Sequence, residues 1–452
     1  MSNSLTLPAG FEKMMAALLK NEISPFLQSL HASPPTSIRI HPGKYDDTNS
    51  LEKVPWARWG RYLRERPVFT LDPAFHAGGY YVQEASSMFL EQVLLSAIDI
   101  RNPIKVLDLC AAPGGKSTHL LSLLHPGSLL VSNEVIHSRA SILLENLQKW
   151  GHINSVVTQN DPRDFAHLEG FFDLILVDAP CSGEGMFRKE PDSLKEWSVE
   201  NVHLCALRQR RILKDVWPAL KTNGVLIYST CTYNEAEDEE TMTWLTDSNA
   251  TEFISIPTPA EWGIKESRHK QTIGYRLYPH QVKGEGFFIS CLRKTQDQKE
   301  VVTGKRKILC PLSDKEAGPI KSWIRSPSDI AFVLSGNLIH GLPSHLLSDI
   351  ELLYQLLKVT YAGTALAADK HGKLVPAHPA ALSCHLNIEN FPQVELTHDQ
   401  ALQYLRKEAL DIGTAYKGFA LVVYQKNILG WANLLENRLN NLYPANWRIR
   451  MK

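Results

Sequence analysis

The sequence predicts an α/β protein built around a doubly wound, mostly parallel β-sheet. Two observations between residues 76 and 295 lead to this fold class. Short apolar runs alternate with helical segments, and a glycine-rich loop joins the first of these runs to a helix. Strands that alternate with helices form parallel sheets covered by helices on both faces. Ligands bind such sheets at the carboxyl ends of the strands, so functional residues are expected there.

Apolar runs, helical periodicity and cap residues predict the elements of this central region. Five runs predict strands over residues 105–110, 128–133, 155–159, 172–177 and 224–228. Helices are predicted from Lys116 onward, over 138–150 with Gly151 as its cap, and over 203–219. A late strand is predicted over 286–292, with 274–278 as its partner.

The two flanking regions have different patterns. Residues 1–75 predict a small α+β region, with an amphipathic segment over 11–19 and a strand over 36–40. After a polar, charged segment over 294–307 that predicts a linker, the chain is expected to form an intermediate domain over 308–390 and a further domain over 391–452. Elements predicted there are a turn and helix over 339–358, a helix over 397–409 opened by Thr397, and a hairpin of 418–424 with 427–431.

Residues 56–66 interleave aromatic and cationic side chains. They are Trp56, Arg58, Trp59, Arg61, Tyr62, Arg64 and Arg66. Such a mixture suits a polyanion with exposed bases. It suits equally well a surface segment whose aromatic side chains pack on the next domain. The sequence leaves both interpretations open.

Composition bounds the class of protein. A chain of 452 residues is too long for one ordinary domain, and its 44% apolar content is typical of a globular protein. The first residues carry no basic segment leading into an apolar stretch, and no apolar run has the length of a membrane span, so we expect a cytoplasmic protein without a membrane partner. Seven cysteines without regular spacing argue against a disulfide scaffold or a zinc site, so no metal is expected.

Charge is balanced overall but unevenly distributed. The chain has 48 basic and 48 acidic residues, which argues against a generic nucleic-acid binder. Residues 301–452 nevertheless carry a net charge of about +5. The last basic side chains are Arg438, Arg448, Arg450 and Lys452.

The loop over residues 110–117, Cys-Ala-Ala-Pro-Gly-Gly-Lys-Ser, has two candidate ligand classes. Its small residues let a ligand approach the backbone, and the following helix offers free N–H donors. A P-loop for nucleoside triphosphates needs Gly-x-x-x-x-Gly-Lys-Ser/Thr. Gly115, Lys116 and Ser117 supply only its second half, because Cys110 stands at the first glycine position.

Three acidic residues favour a nucleoside cofactor instead. Glu134 follows the second predicted strand, where doubly wound folds place a carboxylate that accepts hydrogen bonds from ribose hydroxyls. Asp161 follows the third strand, where a carboxylate can receive an adenine amino group, and Asp178 follows the fourth. A solvated acid at a helix start would explain Glu134 alone. The loop and the three acids together predict a site for S-adenosylmethionine.

Cys181 and Cys231 each follow a predicted strand, in the strings Asp-Ala-Pro-Cys and Ser-Thr-Cys. Thiolates are strong nucleophiles at modest pKa, so two thiols beside a cofactor loop favour covalent catalysis. A thiolate that adds to carbon 6 of cytosine lets carbon 5 attack a sulfonium methyl group, after which a base removes the carbon 5 proton and the thiol leaves. Asp178 is placed to contact such a base, and Lys116 could reach it. Four further cysteines are expected to be buried and inert: Cys205, Cys291, Cys310 and Cys384.

With these residues in place, the chain resembles the Nol/Nop/Sun family of RNA 5-methylcytosine methyltransferases, and within it the bacterial ribosomal RNA branch. The resemblance covers most of residues 60–295 and is weaker at the C-terminus. Its motifs are residues 110–116, 178–189 (Asp-Ala-Pro-Cys-Ser-Gly-Glu-Gly-Met-Phe-Arg-Lys), 229–233 (Ser-Thr-Cys-Thr-Tyr), 274–280, 283–288, 437–439 and 443–450.

The resemblance implies a fold, a cofactor and separate roles for the two cysteines. It implies a Rossmann-like class I methyltransferase domain, with a small N-terminal α+β domain and a C-terminal PUA-like region. Cys231 would be the nucleophile, whereas Cys181 would assist release of the methylated RNA; related enzymes that act on DNA use the Pro-Cys cysteine as nucleophile. The expected residues for binding S-adenosylmethionine are Cys110, Ala111, Ala112, Pro113, Gly114, Gly115, Lys116, Glu134, Arg139, Asp161 and Asp178.

The implied substrate is RNA, with ribosomal RNA of the small subunit or the assembled subunit expected first. A transfer RNA substrate and a non-catalytic RNA-binding assembly factor are the alternatives. The substrate base must leave its stack to react. Residues 56–66 and the basic C-terminus are the candidates for holding the RNA, and the protein is expected to act as a monomer.

Overall fold

The computed structural model describes residues 6–45, 50–297, 308–370, 372–412, 416–436 and 438–451. Within these residues, the strands β1 to β21 described below form four sheets. No helix in the described part of the chain has the length and apolar character needed to cross a membrane.

The N-terminal region combines helices with a small antiparallel sheet. Its helices are α1 (Ala9–Leu19), α2 (Ile23–Leu30) and α3 (Pro73–His76), and its strands are β1 (Thr36–Ile40), β2 (Gly60–Leu63) and β3 (Tyr80–Tyr81). Strand β1 lies between β2 and β3 and is antiparallel to both. The sheet therefore extends past residue 75. The apolar face of α1, including Phe11 and Met15, packs against Phe187 and Tyr233, which belong to the two cysteine motifs.

The central region contains the predicted alternation of strands and helices. Its strands are β4 (Lys105–Asp108), β5 (Leu129–Asn133), β6 (Ser155–Thr158), β7 (Phe172–Asp178), β8 (Leu220–Thr230), β9 (Thr251–Phe253), β10 (Lys265–His269), β11 (Thr272–Leu277) and β12 (Phe287–Lys294). Its helices are α4 (Leu90–Ala97), α5 (Gly115–Leu123), α6 (His137–Trp150), α7 (Pro191–Glu196), α8 (Val199–Val216) and α9 (Glu239–Asp247). Strand β12 extends to Lys294, so the predicted linker begins later than expected; its residues 298–307 lie outside the described residues.

Strands β6, β5, β4, β7 and β8 lie side by side in that order, and all are parallel. Strand β12 is antiparallel to β8, and β11 and β10 continue the sheet beyond it. The predicted pairing of the two late strands is confirmed. The parallel strands are nearly continuous apolar runs because helices cover both faces of the sheet. The doubly wound, mostly parallel sheet predicted from the sequence is therefore confirmed.

The region from residue 308 to 390 is joined to this central sheet. Its elements are α10 (Asp314–Lys321), β13 (Ile330–Ser335), β14 (Leu338–Pro343), α11 (Leu347–Leu356), β15 (Val359–Ala362), β16 (Thr364–Lys370), β17 (Lys373–Pro376) and α12 (His378–Leu382). Strands β13, β14, β16 and β17 form their own antiparallel sheet, whereas β15 pairs with the outer edge of β6. Ile350 and Leu353 of α11 join one of the two apolar cores of the central sheet.

The C-terminal region forms a four-stranded sheet with one helix. Its elements are β18 (Gln393–Glu395), α13 (His398–Leu405), β19 (Gly418–Tyr424), β20 (Asn427–Leu435) and β21 (Arg438–Asn441). Thr397 caps α13 as predicted, although the helix ends at Leu405 rather than at residue 409. The predicted hairpin is the antiparallel pair β19 and β20. Arg438, Arg448 and Arg450 are exposed.

Residues 56–66 contribute aromatic side chains to the core rather than to a surface. Trp56 is 2% exposed and Tyr62 is 3% exposed, and both belong to the main apolar core. The Trp56 indole donates a hydrogen bond to the Ala85 carbonyl at 2.7 Å, and the Tyr62 hydroxyl donates to the Lys283 carbonyl at 2.7 Å. Of the two interpretations that the sequence leaves open, Trp56 and Tyr62 follow the one in which the aromatic side chains pack against the next region, whereas Trp59 is half-buried.

The expectation for the four remaining cysteines is confirmed in part. Cys205 and Cys291 are buried, whereas Cys310 and Cys384 are exposed. The apolar neighbours of Cys310 and Cys384 in the sequence did not predict their exposure, because burial depends on contacts with distant segments.

Candidate active site

The carboxyl ends of five parallel strands open onto a cavity of about 740 Å³. Its wall includes eight of the predicted site residues: Cys110, Ala112, Glu134, Arg139, Asp161, Asp178, Cys181 and Cys231. They follow β4, β5, β6, β7 and β8, so the parallel sheet collects them at one edge. The other predicted residues do not line this cavity: Ala111, Pro113, Gly114, Gly115 and Lys116.

The two cysteines lie side by side. The Cys181 and Cys231 sulfur atoms are 3.1 Å apart. The pKa of Cys181 is raised well above its ordinary value, first by the hydrogen bond with Cys231 and then by burial. One sulfur can hold a proton while the other reacts, so the pair offers both a nucleophile and a hydrogen-bond donor at the same point.

Asp178 lies at the end of β7 and is fixed on both sides. One carboxylate oxygen accepts a hydrogen bond from the Ser229 hydroxyl at 2.7 Å, and the other is 2.8 Å from the Lys116 ammonium. Lys116 also lies over the Phe287 ring at 5.1 Å. Asp178 lines the cavity, whereas Lys116 does not line it and is ion-paired with Asp178.

The glycine loop is held in shape by helix α6. Gly114 has a φ of 110°, a left-handed conformation that favours glycine. The Ala112 carbonyl accepts a hydrogen bond from Arg139 at 2.9 Å, and the Pro113 carbonyl accepts one from Asn146 at 2.8 Å. Helix α5 begins directly after Gly114. The loop thus forms a short, fixed path between β4 and α5.

Glu134 and Asp161 stand on the same side of the cavity. Glu134 is buried, accepts a hydrogen bond from the Ile136 amide at 2.9 Å and lies 3.4 Å from the guanidinium of Arg139. Asp161 accepts from the Arg163 amide at 3.2 Å and lies 3.2 Å from the guanidinium of Arg211. Both carboxylates therefore have fixed orientations at the cavity wall.

Helix α8 supplies part of the wall that the sequence did not indicate. Its contributing residues are Leu207, Arg208, Arg211 and Ile212. Leu207 is 62% exposed. Helical spacing in the sequence does not show which cavity a side chain borders, so these residues could not be identified from the sequence.

One group of potential metal ligands lies away from this cavity within the described residues. His41, His152 and Cys384 place ligand atoms within 4.8 Å of one another. Both ring nitrogens of His41 already have partners: one is 3.0 Å from the Trp150 carbonyl, and the other accepts from the Gly43 amide at 3.0 Å. These hydrogen bonds give His41 a structural role.

Three family models match the chain. The model for the 16S rRNA methyltransferase RsmB/F matches residues 95–293. The model for the N-terminal domain of 16S rRNA methyltransferase RsmF matches residues 7–85, and the model for the methyltransferase RsmF PUA domain matches residues 391–449. The three matches follow the order of the N-terminal sheet, the central sheet and the C-terminal sheet.

Related proteins and solved structures agree with these matches. The ribosomal RNA small subunit methyltransferase F of Escherichia coli O157:H7 is 31% identical over 87% of this chain and 84% of its own length. A methyltransferase homolog from Pyrococcus horikoshii is 25% identical with a TM-score of 0.55, over 64% of this chain and 96% of that chain. The structure of NSun6 from Pyrococcus horikoshii with SFG has the same fold, at 20% identity and a TM-score of 0.53, over 64% of this chain and 99% of that chain. The chain belongs to the RsmB/F family of 16S rRNA methyltransferases.

Proposed function

We propose that this protein uses S-adenosylmethionine to methylate carbon 5 of a cytosine in 16S ribosomal RNA, through a covalent bond between a cysteine and carbon 6. The observation that carries this proposal is the pair of sulfur atoms 3.1 Å apart beside Asp178. A methyl transfer to oxygen or nitrogen needs no thiol, whereas carbon 5 of cytosine needs a nucleophile at carbon 6. The name of the Escherichia coli relative supports the small-subunit RNA as substrate.

The cavity fits S-adenosylmethionine in size and in chemistry. A volume of about 740 Å³ lies within the range of small-molecule sites. We assign Glu134 to the ribose hydroxyls and Asp161 to the adenine amino group. The loop from Cys110 to Lys116 would receive the amino-acid end, with Arg139 fixing the Ala112 carbonyl and Asn146 fixing the Pro113 carbonyl. When bound, the cofactor supplies the methyl group.

The two cysteines divide the reaction between them. The Cys231 sulfur adds to carbon 6 as the thiolate, its proton having been lost to solvent, which makes carbon 5 nucleophilic, and Asp178 contacts the cytosine. After methylation, a proton acceptor removes the carbon 5 proton. The bond between carbon 6 and the Cys231 sulfur then breaks, and Cys231 leaves as the thiolate. The Cys181 thiol lies where it can donate a hydrogen bond to the departing sulfur, because the two sulfur atoms are 3.1 Å apart. The choice of Cys231 as nucleophile follows the family resemblance, because the distance between the two sulfur atoms does not distinguish them.

The rival interpretations have less support. A P-loop needs a lysine free to reach phosphates, but the Lys116 ammonium is 2.8 Å from Asp178. A binding factor without catalytic activity needs neither of the two adjacent thiols. Transfer RNA remains the alternative substrate, and the experiment below compares it with the ribosomal substrates.

The exposed C-terminal arginines and the PUA-domain match make the C-terminal region our candidate for holding RNA. Arg448 and Arg450 lie in its last residues and would contact phosphates, which dominate RNA affinity. Residues 56–66 retain exposed Arg58, Arg64 and Arg66 for the same role.

The test of the proposal is methyl transfer from labelled S-adenosylmethionine to unmodified RNA. Purified protein is incubated separately with 16S RNA, assembled small subunits and transfer RNA, and the nucleosides are separated after digestion. We expect label in 5-methylcytidine from one of the two ribosomal substrates, with bisulfite sequencing locating a single cytosine. Label in another nucleoside, or in transfer RNA alone, would contradict the proposal.

Replacing Glu134 with alanine is expected to weaken S-adenosylmethionine binding by about tenfold or more, because it removes charge-assisted hydrogen bonds to the ribose. Calorimetry measures the affinity directly. Glu134→Gln keeps the size of the side chain and tests the charge alone. Glu235→Ala, an exposed acid outside the cavity wall, is the control and should bind with wild-type affinity. Equal affinities for wild type and Glu134→Ala would remove Glu134 from the cofactor site.

A further inference from the structure

Two fully buried carboxylates join the loop over residues 179–185 (the Cys181 loop) to the loop over residues 231–238 (the Cys231 loop). Glu184 belongs to the first loop and Glu237 to the second. Glu184 and Glu237 are both 0% exposed. Within the described residues, neither has a Lys, Arg or His partner at ion-pair distance. Neutral donors alone hold them. A buried charge without a counter-charge is costly unless hydrogen bonds compensate it, so such residues are candidates for a functional role.

Glu237 and Gln209 fix the backbone on both sides of Cys181. The Ser182 amide donates to the Glu237 carboxylate at 3.0 Å. The Gln209 side-chain amide donates to the same carboxylate oxygen at 2.7 Å and to the Pro180 carbonyl at 3.1 Å. The residues before and after Cys181 are therefore tied to one carboxylate.

The other oxygen of Glu237 reaches the Cys231 loop. It accepts a hydrogen bond from the Asn234 side-chain amide at 2.7 Å, and that amide lies 2.9 Å from the Thr232 hydroxyl. The Asn234 side-chain carbonyl in turn accepts from the Glu237 amide at 2.9 Å. The Ser182 amide also lies 3.3 Å from this oxygen, so the Glu237 carboxylate binds both cysteine loops.

Two direct contacts between the loops depend on the same alignment. The Ser182 and Thr232 hydroxyls are 3.0 Å apart, and the Gly185 amide donates to the Cys231 carbonyl at 2.9 Å. Glu184 adds support, since it accepts from the Tyr233 amide at 2.8 Å and the Asn234 amide at 3.0 Å. Burial raises the pKa of Glu237, as expected for a carboxylate away from water.

We propose that Glu237 is a positioning residue that holds the Cys181 and Cys231 loops in the alignment at which their sulfur atoms meet, with Gln209 and Asn234 as its two links. This inference rests on the proposed function for its catalytic meaning. Glu237 acts through the two loops, and its carboxylate is not assigned any contact with RNA or cofactor.

The direct test measures how readily the two sulfurs join. Diamide, a diazene that takes up two electrons and two protons, oxidises the two thiols to a disulfide, and peptide mass spectrometry quantifies the Cys181–Cys231 bond. We expect Glu237→Ala to form this bond at least about tenfold more slowly than wild type, and Glu237→Gln to be intermediate, because an amide keeps one acceptor but opposes a second donor. Glu240→Gln, an exposed acid on α9, is the matched control and should react as wild type does.

Methylation kinetics supply the second readout. Loss of alignment should lower kcat for Glu237→Ala by about tenfold or more, with an unchanged KM for S-adenosylmethionine, and Glu237→Gln should recover part of kcat. If Glu237→Ala does not fold, Glu237→Gln decides. Wild-type rates of disulfide formation and of methylation in Glu237→Gln would overturn the proposal, as would a fall in kcat that is matched by loss of cofactor affinity.

Failure of the proposed function is distinguishable from failure of this inference. If the wild-type protein methylates no cytosine, the proposed function fails, but the disulfide rates still report the alignment. If methylation occurs and the disulfide rates of wild type and Glu237→Ala are equal, the positioning role alone is wrong.

Discussion

Replacing Cys231 with alanine is expected to lower methyl transfer by about a thousandfold or more, because carbon 5 of cytosine then loses its activation at carbon 6. Binding of S-adenosylmethionine should be unchanged, since the fixed carboxylates of Glu134 and Asp161 remain in place. Single-turnover methylation and calorimetry with the cofactor measure the two quantities separately.

Cys310→Ala is the matched control for that variant, because Cys310 is exposed and lies outside the cavity wall. It should methylate RNA at the wild-type rate. If Cys231→Ala keeps full activity, the assignment of the nucleophile is wrong. If Cys181→Ala, measured in the same way, is instead the variant that loses methyl transfer, the roles of the two cysteines are exchanged.

Replacing Cys181 with alanine is expected to make the covalent bond between Cys231 and the RNA accumulate, whereas Cys231→Ala cannot form that bond. Addition at carbon 6 and methyl transfer proceed, but release of Cys231 slows because the adjacent thiol at 3.1 Å is gone. A protein–RNA complex should therefore accumulate and survive denaturing electrophoresis, whereas wild-type protein should leave little of it.

Cys181→Ala combined with Cys231→Ala is the control that separates release from binding. The double variant has no nucleophile and should form no complex that survives denaturation. Absence of the complex in Cys181→Ala alone, with product still forming at the wild-type rate, would contradict the release role.

The sequence predicted the central sheet well because its signals are local. Each of the strands β4 to β8 contains an apolar run followed by a short polar motif, although β8 begins at Leu220, four residues before the predicted run. The residues after these strands were predicted to meet because parallel strands share one carboxyl edge. Cys181 and Cys231 are 50 residues apart in the chain, yet both follow neighbouring parallel strands, which places them at the same edge of the sheet.

Contacts between distant segments could not be predicted in the same way. Strand β15 pairs with β6 of the central sheet, although the strands before and after it in the sequence form a separate sheet. Nothing in its four residues indicates which of the two sheets it joins. Trp56 and Tyr62 belong to a segment whose mixture of aromatic and cationic residues suits RNA binding, but both side chains are buried in a core. Glu237 and Gln209 are ordinary polar residues in the sequence, and only their burial and shared hydrogen bonds reveal them.

Peptide mapping of the trapped complex tests the central claim most directly. Cys181→Ala protein is incubated with 16S RNA and S-adenosylmethionine, digested with nuclease and protease, and analysed by tandem mass spectrometry. We predict a methylated cytidine attached to the peptide that contains Cys231, and to no other cysteine. A cytidine attached to any other residue, or a trapped complex without a methyl group on the base, would contradict covalent catalysis by Cys231 with release assisted by Cys181.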